Sequence, residues 1–274
     1  MRIFLAGGSG VIGSRLIPAL VENGHDITAT TRGSENAGFI QSRGARPVVV
    51  DVYDEPRLGL VVAEAAPELI LHELTDLGDY DTDANARLRR VGTGNLVAAA
   101  QAAGVERMMV QSIAWAYADG DTLAVEDDPI QAGSAVEEME SVVRRLPRAT
   151  VLRYGMLYGP GTWYAPGARM SNAVTAGLIP ATPSITSFVH IDDVVAATVQ
   201  AIDWVDGAYN IVDDDPAPAT EWLPVYAAGL GAPAPAVADA PSDAPRGRGA
   251  SNAKARAAGW TPLHPTWRDG FPRA

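Results

Sequence analysis

Three glycines at three-residue spacing, Gly7, Gly10 and Gly13, join an apolar run, RIFLA at 2–6, to an amphipathic run, VIGSRLIPALVE at 11–22. A loop of this kind leaves few ways to fold what surrounds it. One glycine makes the tight turn, one lets a pyrophosphate approach the backbone, and one lets strand and helix pack closely. The helix start beyond it offers free N–H groups and a positive dipole end to phosphates. The apolar run reads as a buried strand and Asn23-Gly24 as the helix stop. In that setting Gly7, Gly10, Val11, Ile12 and Gly13 are expected to hold a dinucleotide.

The rest of the chain supports this reading. Strands are expected at 25–31, 46–50, 68–74, 105–112, 146–157 and 208–212. Helices are expected at 35–43, 56–66, 85–103 and near 192–203. Strand and helix alternate from the first residue, which implies right-handed βαβ units. The predicted fold class is α/β, a Rossmann-type doubly wound parallel sheet with a small C-terminal substrate-binding region. The core is expected over 1–158, with later strands from about 185–213. Residues 159–274, rich in Pro and Gly, are expected to be mostly substrate-binding. The low-complexity stretch 231–247 reads as a mobile surface segment.

Charge and composition remove other classes. The chain of 274 residues carries a net charge of −12 with 21 basic residues, so no nucleic-acid partner is expected. It has no cysteine, which excludes disulfides and thiolate chemistry. No apolar run is long enough to cross a membrane, and the N-terminus reads as strand and turn rather than a leader. A cytoplasmic location is expected.

The end of the second strand bears on cofactor choice. An acid there would bind the ribose of NAD. The residues are Thr30-Thr31-Arg32-Gly33-Ser34, and Arg32 can fork onto a 2′-phosphate. NADP is expected, with NAD possible. Asp51, with Val52, is placed for the adenine.

The segments GGSGVIG (7–13), GTGNLVAAAQAAGVERMMVQS (92–112), LRYGMLYGPGT (152–162), SFVHIDD (187–193) and YNIVDDDP (209–216) resemble the atypical and extended short-chain dehydrogenase/reductase superfamily, in its NAD(P)-dependent epimerase/dehydratase branch. The resemblance covers nearly the whole chain. It implies a seven-stranded core, a C-terminal substrate region and a plausible homodimer. The family's usual proton chemistry uses Tyr-x-x-x-Lys. The one lysine here is Lys254, and the residue four before it is Ala250. Laid on the family pattern, the Tyr and Lys positions fall near Ala132 and Val136. The helix asparagine expected before Gly92 is Arg89, and the usual Ser/Thr position is Ile113, one residue after Ser112.

Other residues are candidates for the missing chemistry. Ser112, at a strand's carboxyl end, either faces the nicotinamide region or caps the strand. Tyr117, Tyr154 and Tyr158 are candidate proton donors; each has packing as its other reading. Trp115, Trp163, Tyr164 and His190 are candidate substrate contacts, with Trp163 and Tyr164 alternatively anchoring their loop in the core. His190 is expected just before a helix capped by Asp192. His72 reads as a packing or cofactor contact. No metal site is expected, the four histidines being far apart in sequence, and Asp213–Asp215 reads as a solvated turn. The expected function is an NAD(P)-dependent oxidoreductase or epimerase-like enzyme on a small carbonyl or hydroxyl metabolite. Two alternatives stay open: a non-redox isomerase, cyclase or dehydratase, and a dinucleotide-binding sensor.

Overall fold

The structure, a computed structural model, describes residues 1–77, 81–239 and 247–272. Its first half follows from continuous apolar runs, which suit strands buried on both faces of a parallel sheet. In chain order come β1 (Arg2–Ala6), α1 (Gly13–Glu22), β2 (Asp26–Thr31), α2 (Ala37–Ser42), β3 (Arg46–Val49), α3 (Glu55–Ala65), β4 (Leu69–His72), α4 (Thr82–Arg87), α5 (Thr93–Ala102) and β5 (Arg107–Ile113). Then follow α6 (Ala135–Val143), β6 (Arg148–Tyr154), β7 (Met156–Tyr158), α7 (Arg169–Thr175), β8 (Ile185–Thr186), β9 (Phe188–His190), α8 (Ile191–Gln200), β10 (Gly207–Ile211), β11 (Ala217–Pro218), α9 (Ala219–Gly229), α10 (Ala253–Ala257) and α11 (Trp267–Gly270).

Seven strands form one parallel sheet in the order β10-β6-β5-β4-β1-β2-β3. The register sets Leu5 beside Ala29 and Leu71, and Ala6 beside His72. The carboxyl ends of β1, β2 and β4 therefore line up at one edge, where an open α/β sheet binds ligands. The Rossmann-type doubly wound fold expected from the sequence is the fold observed.

Two segments differ from expectation. The single helix expected over 85–103 is α4, a π-turn at Leu88–Gly92, and α5. Gly92 presses so closely that a methyl there would lie 3.0 Å from Val52 and 2.9 Å from Leu88. The strand expected over 146–157 breaks at Gly155, where the chain changes partners. Gly155 N–H bonds to Ile211, and Met156 N–H to Ser187. Helices α6, α7, α9, α10 and α11 have no counterpart among the expected helices, although α6 carries an N-cap signal: Ser134 accepts from Glu137 N–H, and Glu137 accepts from Gly133 N–H.

The chain divides into two compact units. The first comprises Met1–Ser112, Gln131–Leu152 and Thr198–Ala208; the second comprises Ile113–Ile130, Arg153–Ala197 and Tyr209–Ala274. The core of the first packs Phe4, Ile70, Met108 and Val110 against α3 and α5 residues such as Val62, Leu96 and Ala100. The core of the second is aromatic: Tyr158, Tyr164, Phe188, Trp222, Tyr226, Trp267 and Phe271.

The Asp213–Asp215 stretch is not a solvated turn. Asp213 is buried and accepts N–H bonds from Asp215 and Trp267. Burial pushes its carboxyl up to about 8. Asp214 takes Asn252 and Arg256, and Asp215 takes Thr266 and Arg268. The three acids tie the C-terminal segment to β10. The stretch 231–247 lies partly outside the described residues. Within them, residues 236–238 are tied to Ala181 by paired backbone bonds.

Candidate dinucleotide site and its surroundings

A cavity of about 190 Å³ opens at the carboxyl edge of β1, β2 and β4. Its walls include Gly7, Gly10, Arg32, Asp51, Glu73 and Asp76. Gly7 has a φ of +100°, and a methyl there would meet the Glu73 carbonyl oxygen at 3.0 Å. A methyl at Gly13 would overlap the Gly7 carbonyl. Thr30 clamps the loop, accepting Gly8 N–H through its carbonyl at 2.9 Å and Gly7 N–H through its hydroxyl at 3.1 Å. Helix α1 begins at Gly13, and the Ser14 N–H turns back to the Gly10 carbonyl at 3.0 Å, which ties the loop to the first helical turn. This bare backbone cradle fits a pyrophosphate. Ile12 is buried beneath it and Val11 is exposed.

Arg32 and Asp51 stand on the β2/β3 side of the cavity, with Val52. The Arg32 guanidinium lies 3.3 Å from the Asp76 carboxylate. Asn85 holds the Asp76 backbone N–H at 3.0 Å. Asp51 accepts the Tyr53 N–H at 2.9 Å. Sequence reasoning missed Glu73 and Asp76; their signal was two acids within four residues of the end of β4.

On the β4/β5 side, His72 is buried and its Nε2 meets the Thr93 hydroxyl at 2.8 Å. Its Nδ1 accepts the Leu74 N–H. Burial first, then the charge of Arg89, pushes its pKa down to about 4. It is a neutral packing histidine. Ser112, one strand further, donates to Glu140 at 2.7 Å, and Glu140 is fully buried and bridged to Arg144. Its hydroxyl proton is thus committed to a carboxylate from α6.

The other candidates lie in the second unit. The Tyr117 hydroxyl donates to Asn210 at 2.6 Å and accepts from Arg153 at 2.7 Å. Burial raises its pKa, and Arg153 offsets part of the rise. Tyr154 is buried at the end of β6. Tyr158 packs edge-on to His190, Phe188 and Phe271, and its burial drives the phenol far above the ordinary range. Tyr164 stacks on Phe271 and meets Phe188, Trp222 and Tyr226, so it sits in the aromatic core. Trp163 is half-buried beside that core, and Trp115 is exposed. Lys254 lies over the Tyr209 ring at 4.8 Å.

His190 is buried, and helix α8 starts at Ile191, which puts Asp192 inside the first turn rather than at its cap. The cap is His190 itself, whose Nδ1 accepts the Asp192 N–H. Sequence distance misled on the histidines: His190, Asp193 and His264 bring ligand-type atoms within 4.8 Å of one another. The Asp193 oxygens take the N–H groups of Leu263 and His264 and the His264 ring. The two imidazole centroids lie 3.7 Å apart with the rings tilted by 31°. The trio fastens the 263–264 segment to α8.

The sequence profile of the NAD dependent epimerase/dehydratase family matches residues 3–212. The chain belongs to that family. It is an NAD(P)-binding enzyme of the oxidoreductase and epimerase kind. A 3-diazoavenalumate denitrifying reductase from Streptomyces sp is 41% identical over 308 aligned positions, which span all of both chains. A 4-hydroxy-2-methyl-3-oxo-4-farnesyl-3,4-dihydroquinoline-1-oxide ketoreductase from Stigmatella aurantiaca is 34% identical over 47% of this chain and 38% of its own. Among solved structures, the UDP-glucose 4-epimerase of Thermus thermophilus in complex with NAD superposes with a TM-score of 0.79 at 21% identity, covering 98% of this chain and 96% of that one. That likeness concerns the fold. Among the described residues, no helix is long and apolar enough to cross a membrane.

Proposed function

We propose that this family member is an NADP-dependent reductase that removes a diazo group from an aromatic substrate as dinitrogen. The observation that carries the reading is the 41% identity, end to end, with a reductase named for denitrifying a diazo compound. Aliphatic diazonium ions lose nitrogen unaided in water, so a substrate that waits for an enzyme carries the group on an arene.

The bound cofactor, when reduced, supplies a hydride. The electron count then closes without an acid. Hydride would add to the ring carbon that bears the diazonium, the C–N bond breaks, dinitrogen leaves with that electron pair, and the hydrogen stays on the ring carbon. Carbonyl reduction differs, because the oxygen must also receive a proton. This removes the need for Tyr-x-x-x-Lys, and the chain's tyrosines agree with that. Tyr117 is engaged on both sides and Tyr158 is sealed in an aromatic core.

The chain's own residues bind and orient. The Gly7–Gly13 cradle would hold the pyrophosphate, Asp51 the adenine, and Arg32 the 2′-phosphate that favours NADP. The buried β4/β5 side, with neutral His72 and the Ser112–Glu140 bond, would shield the reacting atoms from water.

The test is direct. Purified protein is mixed with NADPH and 3-diazo-4-hydroxybenzoate. Nicotinamide absorbance and gas release are followed together, with a carbonyl panel alongside. One dinitrogen per NADPH is expected. NADPH oxidation only with carbonyls would replace this reading with ketoreduction.

A further inference from the structure

Among the described residues that line the dinucleotide cavity, Tyr53 carries the aromatic ring. It stands just past β3 and is half-buried. Arg87, in the last turn of α4, lays its guanidinium carbon 4.4 Å from the centre of that ring. Arg87 itself is exposed and is not part of the cavity wall. A cation thus covers one face of Tyr53 from outside the cavity, and the ring offers the cavity its other face and its edge. The ring is also fixed at its root, since the Tyr53 N–H bonds to the Asp51 carboxylate at 2.9 Å.

The surroundings say what that face receives. Val50, Val52, Leu58, Leu88 and Leu96 line the same cavity, and Tyr53 packs against the apolar cluster they belong to. The Val52 carbonyl is held from α5 by the Asn95 amide at 3.0 Å. This end of the wall therefore suits a flat, uncharged ring. The adenine is the part of a dinucleotide that answers to that description, since the phosphates have the glycine loop. Bases stack on aromatic side chains because each presents a π-face. A guanidinium on the far side of the phenol adds a cation–π contact, which holds the ring in one orientation.

We propose that Tyr53 is the platform on which the cofactor's adenine stacks, and that Arg87 is a positioning residue that fixes this platform from its opposite face. This rests on the placement of the adenine at Asp51 given above, and adds two residues that set how tightly the base is held. Arg87 reaches no ligand and acts through Tyr53. The adenine is common to both dinucleotides, so the stack strengthens NADPH and NADH alike and leaves their discrimination to Arg32.

The probes are NADPH and NADH, titrated by nicotinamide fluorescence, and adenosine 2′,5′-bisphosphate, titrated by displacement of NADPH. Tyr53→Leu is expected to weaken all three by about fivefold to tenfold, the low end for loss of a base stack because leucine keeps part of the contact. Tyr53→Phe keeps the ring and is expected to stay within about twofold of wild type. Arg87→Met is expected to weaken all three by about threefold to fivefold, the size of an exposed cation–π contact, and Arg87→Lys to stay within about twofold. In the Tyr53→Leu background, Arg87→Met is expected to add nothing, because its effect passes through the ring. Three outcomes would overturn the proposal: a Tyr53→Phe loss as large as that of Tyr53→Leu, an NADPH loss that spares the adenosine bisphosphate, or an Arg87→Met loss undiminished in the Tyr53→Leu background. Asp51→Asn separates the stack from the placement it rests on. If it changes no Kd while Tyr53→Leu weakens all three, the placement at Asp51 fails and the stack stands; the reverse pattern keeps the placement and ends the stack.

Discussion

Arg32 reaches across the cavity wall to Asp76, guanidinium to carboxylate at 3.3 Å. A 2′-phosphate on Arg32 must compete with that acid and then sit beside it. The pair is partly exposed, so its own strength is small. A charge-assisted bond to phosphate contributes about 1.5–3 kcal/mol, or roughly 10–100-fold in affinity. Arg32→Ala is therefore expected to weaken NADPH by about tenfold, at the low end because the residue is exposed, and to leave NADH within about twofold. Asp76→Asn is expected to tighten NADPH. Fluorescence titration with both dinucleotides measures it, and equal losses for the two in Arg32→Ala would end the 2′-phosphate assignment.

Gly13 tests the cradle. A methyl there overlaps the Gly7 carbonyl, which is backbone and cannot swing aside. Gly13→Ala is expected to displace the loop, abolish measurable dinucleotide binding and destabilise the fold by about 1–3 kcal/mol, in the range of overpacked sites. Thermal melts with and without NADPH report both effects. A variant that is still stabilised by NADPH like wild type would contradict the loop's assignment.

His72 gives the first unit a predictable acid sensitivity. Its pKa is lowered from 6.5 to about 4 by burial and by Arg89. A depressed native pKa means that the unfolded chain binds the extra proton. The stabilising contribution is then complete above pH 6.5 and is lost as pH falls toward 4. The difference amounts to about 3 kcal/mol at most. His72→Gln, which can still donate to Thr93, is expected to lose less stability than wild type between pH 6.5 and pH 4. Denaturant midpoints across that window check it; parallel curves would refute it.

The tyrosines separate hydride displacement of dinitrogen from carbonyl reduction. Tyr117→Phe and Tyr158→Phe are expected to keep kcat on an aryl diazonium within about threefold, since no proton donor is required. Tyr117→Phe should still lower stability by about 1–3 kcal/mol, because it strips a partner from buried Arg153 and Asn210. A hundredfold fall in kcat in a folded Tyr117→Phe protein would make that phenol a proton donor.

The strands and the glycine loop were legible because each is a local pattern. RIFLA is apolar on both faces, and the loop's glycines are set by backbone approach within a few residues. Helix α6 is marked just as locally, by the N-cap Ser134 three residues before Glu137. Side-chain partnerships were not legible. Nothing in the sequence sets Glu140 against Ser112, twenty-eight residues away, or draws Asp193 to His264. Tyr164 looked like a pocket wall, since an aromatic pair in a Gly/Pro loop suits either a ligand or a core. The four aromatic rings closed around it by β9, α9 and the C-terminal segment decided for the core.

The sequence alone determined that this chain would build a parallel sheet with a phosphate cradle at its first crossover, and that the cradle would stand without the usual lysine. Those are consequences of hydrophobic period, glycine spacing and residue inventory, which act over short stretches. The tertiary structure decided which polar groups stay available. It spent the Ser112 proton on Glu140, closed Tyr117 between Arg153 and Asn210, and laid Arg87 over the Tyr53 ring. The reason is that hydrogen bonding and desolvation depend on which distant side chains the fold brings within about 3 Å.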